Sequence, residues 1–307
     1  MARTPGEPKT CEIFLSGGKW HASVTILGKP KREHGDGIEA FDLGLERFLT
    51  AARLEPEMDE PVIVVTANPR HPRKALDGVR KIERGISRKE TAAIPRHGKR
   101  KGFRVSKRLR KERQLLAGAH AKVANVRKDF LHKESAEAVG RSAVLIGETL
   151  EPKKMTASAR GNRSRPGRRV RRKAGLNRGI LDASFGAYGK MTGSKAEEAG
   201  IRYREAQAGE WKPSQRCHEC GRVEKKALRV RWHECQCGAS CHRDENSALT
   251  LLDWGIRQIG IQGSGTGPAW SGGLWSNGTA AKGGIPRRTP TWTKPAAGKR
   301  ETHARVA

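Results

Sequence analysis

Hydrophobic and polar positions alternate with a period of two near the start of the chain. Between residues 12 and 27, the apolar side chains of one face are Trp20, Ala22, Val24 and Ile26. The other face carries His21, Ser23 and Thr25, and Gly17-Gly18 interrupts the run. This pattern predicts a β-hairpin. Because an isolated hairpin is only marginally stable in water, we expect it to pack on other structure.

Two further strands and a pair of helices are predicted next. GIEAFDLGL at 37–45 indicates a strand ending near Asp42, and PVIVVT at 61–66 indicates a buried strand. From about Arg73 the apolar positions take a helical period. The first helical stripe consists of Leu76, Val79, Ile82 and Ile86, and the second consists of Leu116, Ala119, Val123, Val126 and Phe130. Two such stripes predict an antiparallel helical hairpin with a coiled-coil-like seam.

The second half of the chain continues with a strand, a helix, a short strand and a helix. SAVLIGETL at 142–150 predicts a buried strand with Glu148 at its end, and a helix is expected from Asp182 to about Ala199. A short strand follows over 201–206. The residues that mark a final amphipathic helix are Ala248, Leu249, Leu252 and Ile256.

Composition points to a polyanionic partner. The chain has 62 Lys and Arg against 32 Asp and Glu, a formal net charge of +30, and such an excess repels itself unless nucleic acid neutralises it. No apolar run approaches the ~20 residues of a membrane span, and no secretory segment follows Met1. We therefore expect a cytoplasmic protein without a membrane partner. From Gly260 onward Gly, Ser, Thr, Pro and Lys dominate, which predicts a disordered tail.

Two segments concentrate the basic charge, at about 96–113 and at 160–173. A charge run is often only a solvated face, but the first segment contains almost no acids to balance it, which favours phosphate contact. The second has Gly and Pro between its arginines and is interpreted as a flexible loop that becomes ordered on a polyanion. The predicted nucleic-acid contacts are Arg100, Lys101, Arg104, Lys107, Arg108, Arg163, Arg168, Arg169, Arg171 and Arg172.

A cysteine cluster follows the short strand. Cys217-x-x-Cys220 and Cys235-x-Cys237 form two close pairs of thiols, and each pair is followed by a glycine. Four thiolates suit a structural tetrahedral zinc ion with no open coordination position. Clustered cysteines without a secretion signal favour metal binding in a reducing compartment over disulfides. Since the second pair is one residue shorter than usual, Cys241 and His233 remain alternative ligands.

Three acids on separate elements are candidates for chemistry. Asp42 and Glu148 end strands, and Asp244 begins a helix. Asp42 and Asp244 also have structural interpretations, as a turn residue and as a helix N-cap. Glu148 is the hardest to explain in this way, because a partly buried charge is costly unless it is paired or metal-bound. Together they are what phosphodiester cleavage by two Mg²⁺ ions requires, because several carboxylates hold the ions ~4 Å apart. Asp182 is a rival acid, but its position before a helical run favours an N-cap.

Several stretches between about 10 and 256 carry a family resemblance. They are FDLGL at 41–45, ANPR at 67–70, RKDFLHK at 127–133, GLNRGILDASFG at 175–186, KAEEAG at 195–200, SQRCHECG at 214–221 and CQCGASCHRDENSA at 235–248. In this order they resemble TnpB proteins, the RNA-guided nucleases of insertion sequences, which are related to the type V CRISPR effectors.

The resemblance implies an α/β fold of mixed α+β type, an RNase H-like RuvC nuclease with an inserted helical hairpin and an inserted zinc ribbon. It implies that Asp42, Glu148 and Asp244 hold two catalytic Mg²⁺ ions, and that the four paired cysteines hold a structural zinc ion. It further implies a DNA endonuclease whose partners are a guide RNA and a target DNA. In such effectors base pairing reads the target and the protein reads only a short adjacent motif.

The same resemblance divides the chain into expected domains. They are a remnant hairpin of an N-terminal barrel at 1–35, a RuvC-like domain at 36–213 with the helical hairpin at about 72–140, a zinc ribbon at 214–242, a final RuvC helix at 243–260 and the tail at 261–307. Family members have a larger N-terminal recognition region, and we expect most of it to be missing here. Two residues also depart from the family pattern: His242 replaces an aspartate and Cys241 replaces a histidine.

Two other functions fit the same features. One is a non-cleaving nucleic-acid-binding regulator, or a truncated relic of a transposon protein. The other is a basic nuclease or zinc-ribbon DNA-binding protein that acts without a guide.

Overall fold

A mixed five-stranded sheet forms the centre of the fold. The computed structural model describes residues 6–16, 19–28, 32–70, 72–93, 106–227 and 229–259. The strands are β1 (Glu7–Ser16), β2 (Lys19–Leu27), β3 (Gly37–Leu43), β4 (Arg47–Leu54), β5 (Val62–Ala67), β6 (Ser142–Glu148), β7 (Arg202–Ala206), β8 (Trp232–Glu234) and β9 (Ser240–His242). The helices are α1 (Pro72–Ala93), α2 (Lys107–Arg141), α3 (Pro152–Met155), α4 (Val170–Ala183), α5 (Phe185–Ala199), α6 (Ala208–Trp211) and α7 (Arg243–Ile259).

The central sheet has the strand order β5-β4-β3-β6-β7. β3, β4 and β5 are antiparallel neighbours, whereas β6 lies parallel to β3 and β7 lies parallel to β6. The chain reaches β6 only after the two long helices α1 and α2, as a parallel connection requires. This arrangement confirms the predicted mixed α/β fold class.

Strand alternation divides the core between the two faces of the sheet. On one face, α7 packs on alternate residues of the central strands, and the buried members are Ile38, Ala40, Ala52, Leu54, Val144, Ile146, Ala206, Ala248, Leu251 and Leu252. On the other face, α2, α4 and α5 cover an aromatic cluster that includes Phe41, Phe48 and Tyr188. Gly255 lets α7 approach the sheet closely, because a Cβ there would overlap the side chain of Ile146.

The two long helices pack side by side. Val79, Ile86 and Leu109 are buried in this pair, and ion pairs such as Arg113–Glu90 (2.5 Å) join the exposed edges. Val126, expected in the seam, is 42% exposed. α2 also packs on α5 and on β6. The division of the chain into domains stays a prediction.

The first two strands form the predicted hairpin, with Leu15 opposite Trp20 and Ile13 opposite Ala22. Trp20 is 74% exposed and Ile13 is 72% exposed. Within the described residues the apolar face of the hairpin is therefore not covered, contrary to the packing we expected.

Three local predictions are wrong. β5 is an edge strand with Val62 and Val65 exposed, and the apolar residues of its sequence do not mark a strand enclosed in the core. Asp182 does not start a helix: α4 ends at Ala183, and Ser184, with a φ of +53°, separates it from α5. The second basic segment is not entirely a loop, because residues 170–173 form the first turn of α4.

Parts of the basic and tail predictions cannot be compared with the structure. Arg100, Lys101 and Arg104 and the tail from residue 260 lie outside the described residues.

We predict that Gly255→Ala destabilises the fold. The added methyl group overlaps the fully buried Ile146, and overpacking of this kind costs about 1–3 kcal/mol, more than the helix propensity of alanine returns. Urea denaturation measures the change. The matched control is Gly118→Ala in α2, where a Cβ meets no atom within 4 Å and alanine is expected to stabilise the protein. Equal stabilisation by both substitutions would contradict the proposed close approach.

Candidate active site and metal cluster

Asp42 and Glu148 lie side by side at the ends of two parallel strands. The parallel register of β3 and β6 pairs Ala40 with Ile146, and two residues further along the same register are Asp42 and Glu148. Both acids belong to the α7 side of the sheet, since they share the parity of Ile38 and Ile146 in that core. Each acid also has a neighbour on its other adjacent strand. Thr50 on β4 pairs with Asp42, and Ala206 on β7 pairs with Glu148.

Asp244 joins these acids from the first turn of α7. Its Oδ2 atom lies 3.9 Å from the place where a Cβ on Gly44 would stand, two residues beyond Asp42. Its side chain is 15% exposed. The charges of both Glu148 and Asp244 act on Asp42. The structure therefore brings together the three acids that the sequence singled out.

The electrostatics of this group are unfavourable in the protein alone. Burial raises the pKa of Glu148 to about 7. Burial and then the charges of Glu148 and Asp244 raise the pKa of Asp42 well above its ordinary value, and neighbouring Ser247 and Arg243 offset this only in part. Like charges brought together in a poorly solvated place favour a bound cation.

Glu39 provides a contrast on the same strand. It is fully buried on the opposite face from Asp42, but Arg141 lies 3.3 Å from its carboxylate. Among the described residues, Asp42 and Glu148 form no comparable ion pair with Lys, Arg or His. The donor chemistry at the strand ends, carboxylate oxygen, is the kind that Mg²⁺ prefers.

His242 caps the helix that carries Asp244. The backbone N–H of Asp244 donates to His242 Nδ1 over 3.2 Å, and Nδ1 lies 3.7 Å from Asp244 Oδ2. Burial and the charge of Arg47 lower the pKa of His242, which keeps the ring neutral and able to accept this bond. Arg47 in turn bonds Glu245 over 2.7 Å, so β4 and the start of α7 are held together beside the acids.

The four paired cysteines converge on one point. The sulfur atoms of Cys217, Cys220, Cys235 and Cys237 all lie within 4.8 Å of one another, with Cys217–Cys237 at 3.7 Å and Cys220–Cys235 at 3.6 Å. Zn–S bonds of about 2.3 Å place sulfur atoms about 3.8 Å apart around a tetrahedral ion. The cluster therefore has the composition and spacing for a metal ion such as zinc.

The two alternative ligands stand apart from this set. Cys241 Sγ lies 4.0 Å from His218 Nδ1 and belongs to no donor group among the described residues. His233 falls in a second group with Cys217 and His218, which shares only Cys217 with the four cysteines.

Asn246 connects the cysteine segment, residues 214–242, to α7. The sequence did not single it out. It is fully buried, and its Oδ1 accepts from the backbone N–H of His218 over 3.1 Å. Its Nδ2 donates to the carbonyls of Arg216 over 2.7 Å and Pro213 over 3.4 Å. Since Asn246 is two residues from Asp244, the loop that contains Cys217 is tied to the helix turn that carries the acid.

The predicted basic contacts that the structure describes are exposed. Lys107 and Arg108 lie in the first turn of α2, beyond its N-cap Ser106. The others follow β6 along the chain, on the loop before α4 and in the first turn of α4, and they are Arg163, Arg168, Arg169, Arg171 and Arg172. That loop is tied to its surroundings, because Asn177 donates to Thr156 O over 2.7 Å and Gly161 bridges to Pro166.

Within the described residues, no helix has the length and apolarity needed to cross a membrane.

Residues 185–251 match the family model described as Cas12f1-like, TNB domain. This part contains α5, the four cysteines, Asp244 and Asn246. Two curated relatives carry names of the same kind, RNA-guided DNA endonuclease. The resemblance to TnpB proteins is confirmed.

The relatives are longer than the region they share with this chain. InsQ of Escherichia coli (strain K12) is 33% identical over 255 residues, which is 80% of this chain and 56% of InsQ. The Streptomyces pristinaespiralis relative is 27% identical over 257 residues, 81% of this chain and 54% of its own. The chain thus spans about half the length of the curated relatives it matches. A solved Cas12f1–sgRNA–target DNA complex shares 15% identity and a TM-score of 0.48 over 76% of this chain and 42% of that chain.

We predict that Asn246→Ala loosens the cysteine segment. The substitution leaves buried backbone groups without partners, which costs about 1–3 kcal/mol for each such group. Thermal unfolding measures the effect, as does the rate at which a chelator removes zinc from protein supplied with that metal. We expect a lower unfolding temperature and faster zinc release. Lys225→Ala, on an exposed residue of the same segment, is the control. Zinc release at the wild-type rate would show that Asn246 does not hold the segment.

We also predict a pH dependence of stability from Glu148. With a pKa of about 7 against its ordinary 4.5, the folded protein retains a proton that the unfolded chain releases. Without divalent cations, this group therefore lowers the free energy of unfolding as the pH rises from about 4.5 to about 7. In urea denaturation with chelator, Glu148→Gln should remove a decrease of about 1–3 kcal/mol between pH 5 and pH 8.

The control for this measurement is Glu151→Gln on an exposed neighbour, which should leave the pH profile unchanged. Identical profiles for wild type and Glu148→Gln would mean that the carboxyl titrates in its ordinary range.

Proposed function

We propose that this chain is an RNA-guided DNA endonuclease with a RuvC-like, Mg²⁺-dependent site. The observation that carries the proposal is the convergence of Asp42, Glu148 and Asp244 from β3, β6 and α7. No Lys, Arg or His among the residues that the structure describes forms an ion pair with either strand acid. The names of the curated relatives support RNA-guided activity. The position of the three acids on three separate elements that meet at one place supports phosphodiester hydrolysis.

The three carboxylates are proposed to hold two Mg²⁺ ions, which when bound supply an activated water and stabilise the leaving oxygen of the phosphodiester. The chain contributes the positions of the oxygen ligands. The pairing of β3 with β6 fixes the positions of Asp42 and Glu148. The hydrogen bond from the Asp244 N–H to His242 fixes the first turn of α7. Burial raises the pKa of Glu148 to about 7 in the metal-free protein, so a cation that binds there below neutral pH displaces a proton.

Zinc is proposed to bind the four cysteines as a structural ion. All four positions of a tetrahedral ion are then filled by protein, so no substrate reaches it. Its contribution is to order the segment that precedes Asp244, and Asn246 transmits that order to the helix.

The basic surface after β6 is proposed to hold the sugar–phosphate backbone of the nucleic acid. Arg163, Arg168, Arg169, Arg171 and Arg172 are exposed and follow Glu148 closely in the chain. Contacts of this kind position a nucleic acid without reading its sequence, while pairing with a guide RNA reads the DNA target. Lys107, Arg108 and the three basic residues outside the described structure, Arg100, Lys101 and Arg104, are proposed to extend this surface.

The test is cleavage of DNA that matches the RNA recovered with the full-length protein. We expect Mg²⁺-dependent cutting that chelator abolishes, and a loss of roughly 10³-fold in Asp42→Asn and Glu148→Gln, since each removes a metal ligand. RNA and DNA binding should stay within twofold of wild type. Glu151→Gln is the matched control, because it removes an exposed carboxylate three residues from Glu148.

Two other results would each sink part of the proposal. Cutting by Asp42→Asn at the wild-type rate would refute the site. Binding of one discrete RNA without any cutting by wild type would instead identify a non-cleaving nucleic-acid-binding regulator, and recovery of only heterogeneous RNA would refute guided action.

A further inference from the structure

The four-cysteine cluster rests against a buried histidine. Cys217 is 2% exposed and is the buried member of the cluster, whereas Cys220 and Cys237 are exposed. His233, on β8, is also 2% exposed. A ring nitrogen of His233 and the sulfur of Cys217 lie within 4.8 Å of each other, in the group that also contains His218.

The neighbours of His233 define which ring nitrogen carries the proton. Lys226 Nζ contacts His233 Nδ1. An ammonium group has only donors, so Nδ1 accepts and the proton of the neutral ring resides on Nε2. Nε2 is buried and has no hydrogen-bond partner among the described residues. A buried N–H donor without an acceptor is costly, and such groups in folded proteins usually have a partner.

We propose that His233 Nε2–H donates a hydrogen bond to the Cys217 thiolate when the cluster holds zinc. Four thiolates and one Zn²⁺ carry a net charge of −2, and Cys217 is the sulfur that water reaches least. An N–H···S bond at that sulfur offsets the missing hydration, and the Lys226 ammonium behind the ring supplies positive charge. His233 is thus a positioning residue for the metal site and not a ligand.

The competing assignment, a second metal ion on Cys217, His218 and His233, fits the contacts less well. Nδ1 of His233 already faces Lys226. His218 Nδ1 lies 3.0 Å from Asn246 Oδ1, and His218 Nε2 lies 3.5 Å from Glu219. Both histidines therefore have nitrogens engaged by protein groups, whereas the four cysteines form a complete tetrahedral set by themselves.

This inference rests on the proposed zinc site but not on nuclease activity, and its readout is metal binding. The full-length protein is loaded with zinc, its zinc content is measured, and a competing chelator gives the affinity. We expect one zinc ion per chain in wild type and a 10- to 100-fold weaker affinity in His233→Phe, the usual effect of removing an outer-shell partner. His233→Gln, which keeps a side-chain N–H, should recover part of the loss, and Lys226→Met should cause a smaller one.

The controls separate this donor role from general damage to the fold. His120→Phe makes the same replacement on an exposed residue of α2 and should leave zinc affinity unchanged. Long-range ¹⁵N NMR of the zinc-loaded protein should show the His233 proton on Nε2, a signal that a purely structural role does not predict.

Each contrary result has a distinct meaning. Wild-type affinity in folded His233→Phe, or a proton on Nδ1, would overturn the donor role while leaving the zinc site intact. Two zinc ions per chain, one of them lost in His233→Phe, would establish the competing metal site instead. Wild type without zinc would refute the metal assignment itself, and DNA cleavage measured in parallel would show whether the proposed nuclease survives that failure.

Discussion

The parallel pairing of β3 with β6 places two acidic side chains side by side, although their burial and mutual repulsion oppose this arrangement. The same pairing buries Ile38, Ala40, Val144 and Ile146 under α7, and it is this apolar contact that keeps the strands in register. A slip of β6 by one residue would turn Glu148 and the apolar residues of that strand to the opposite face, away from Asp42 and the core. The hydrophobic core and the charge of the site are therefore determined by one register.

The third acid depends on a different kind of contact. Asp42 and Glu148 are fixed by strands, but Asp244 lies where a strand of the cysteine segment becomes a helix, and a helix end has few constraints of its own. Arg243, Asn246 and Thr250 provide them: Arg243 donates to carbonyls of the cysteine segment, while Asn246 and Thr250 both donate to Pro213 O. These polar contacts hold Asp244 in position, as the pairing of β3 with β6 holds Asp42 and Glu148.

The sequence was informative where local pattern and tertiary position agree. Asp42 and Glu148 each follow an apolar run, so a strand end was predictable for both, and the paired cysteines were predictable from their spacing. It was misleading where position in the sheet decides: β5 has a buried-strand composition but lies at an edge, and β4 was not predicted because RFLTAARL lacks a clear alternation. Ser184 could not be predicted as a helix break, since its left-handed backbone leaves no compositional signal. Asn246 resembled an ordinary first-turn residue, and its partners lie about 30 residues away.

The cysteine segment is inserted between β7 and α7. As a result, the stability of the fold and the position of Asp244 depend on different contacts. Most of α7 is held by the sheet through Ala248, Leu251 and Leu252, a contact that needs no metal. Only its first turn leans on the cysteine segment. A chain short of zinc would thus persist as a folded molecule with two of its acids in place and the third unanchored. On the proposed zinc site, the supply of that metal would act on the position of one acid and not on the folding of the sheet that carries the other two.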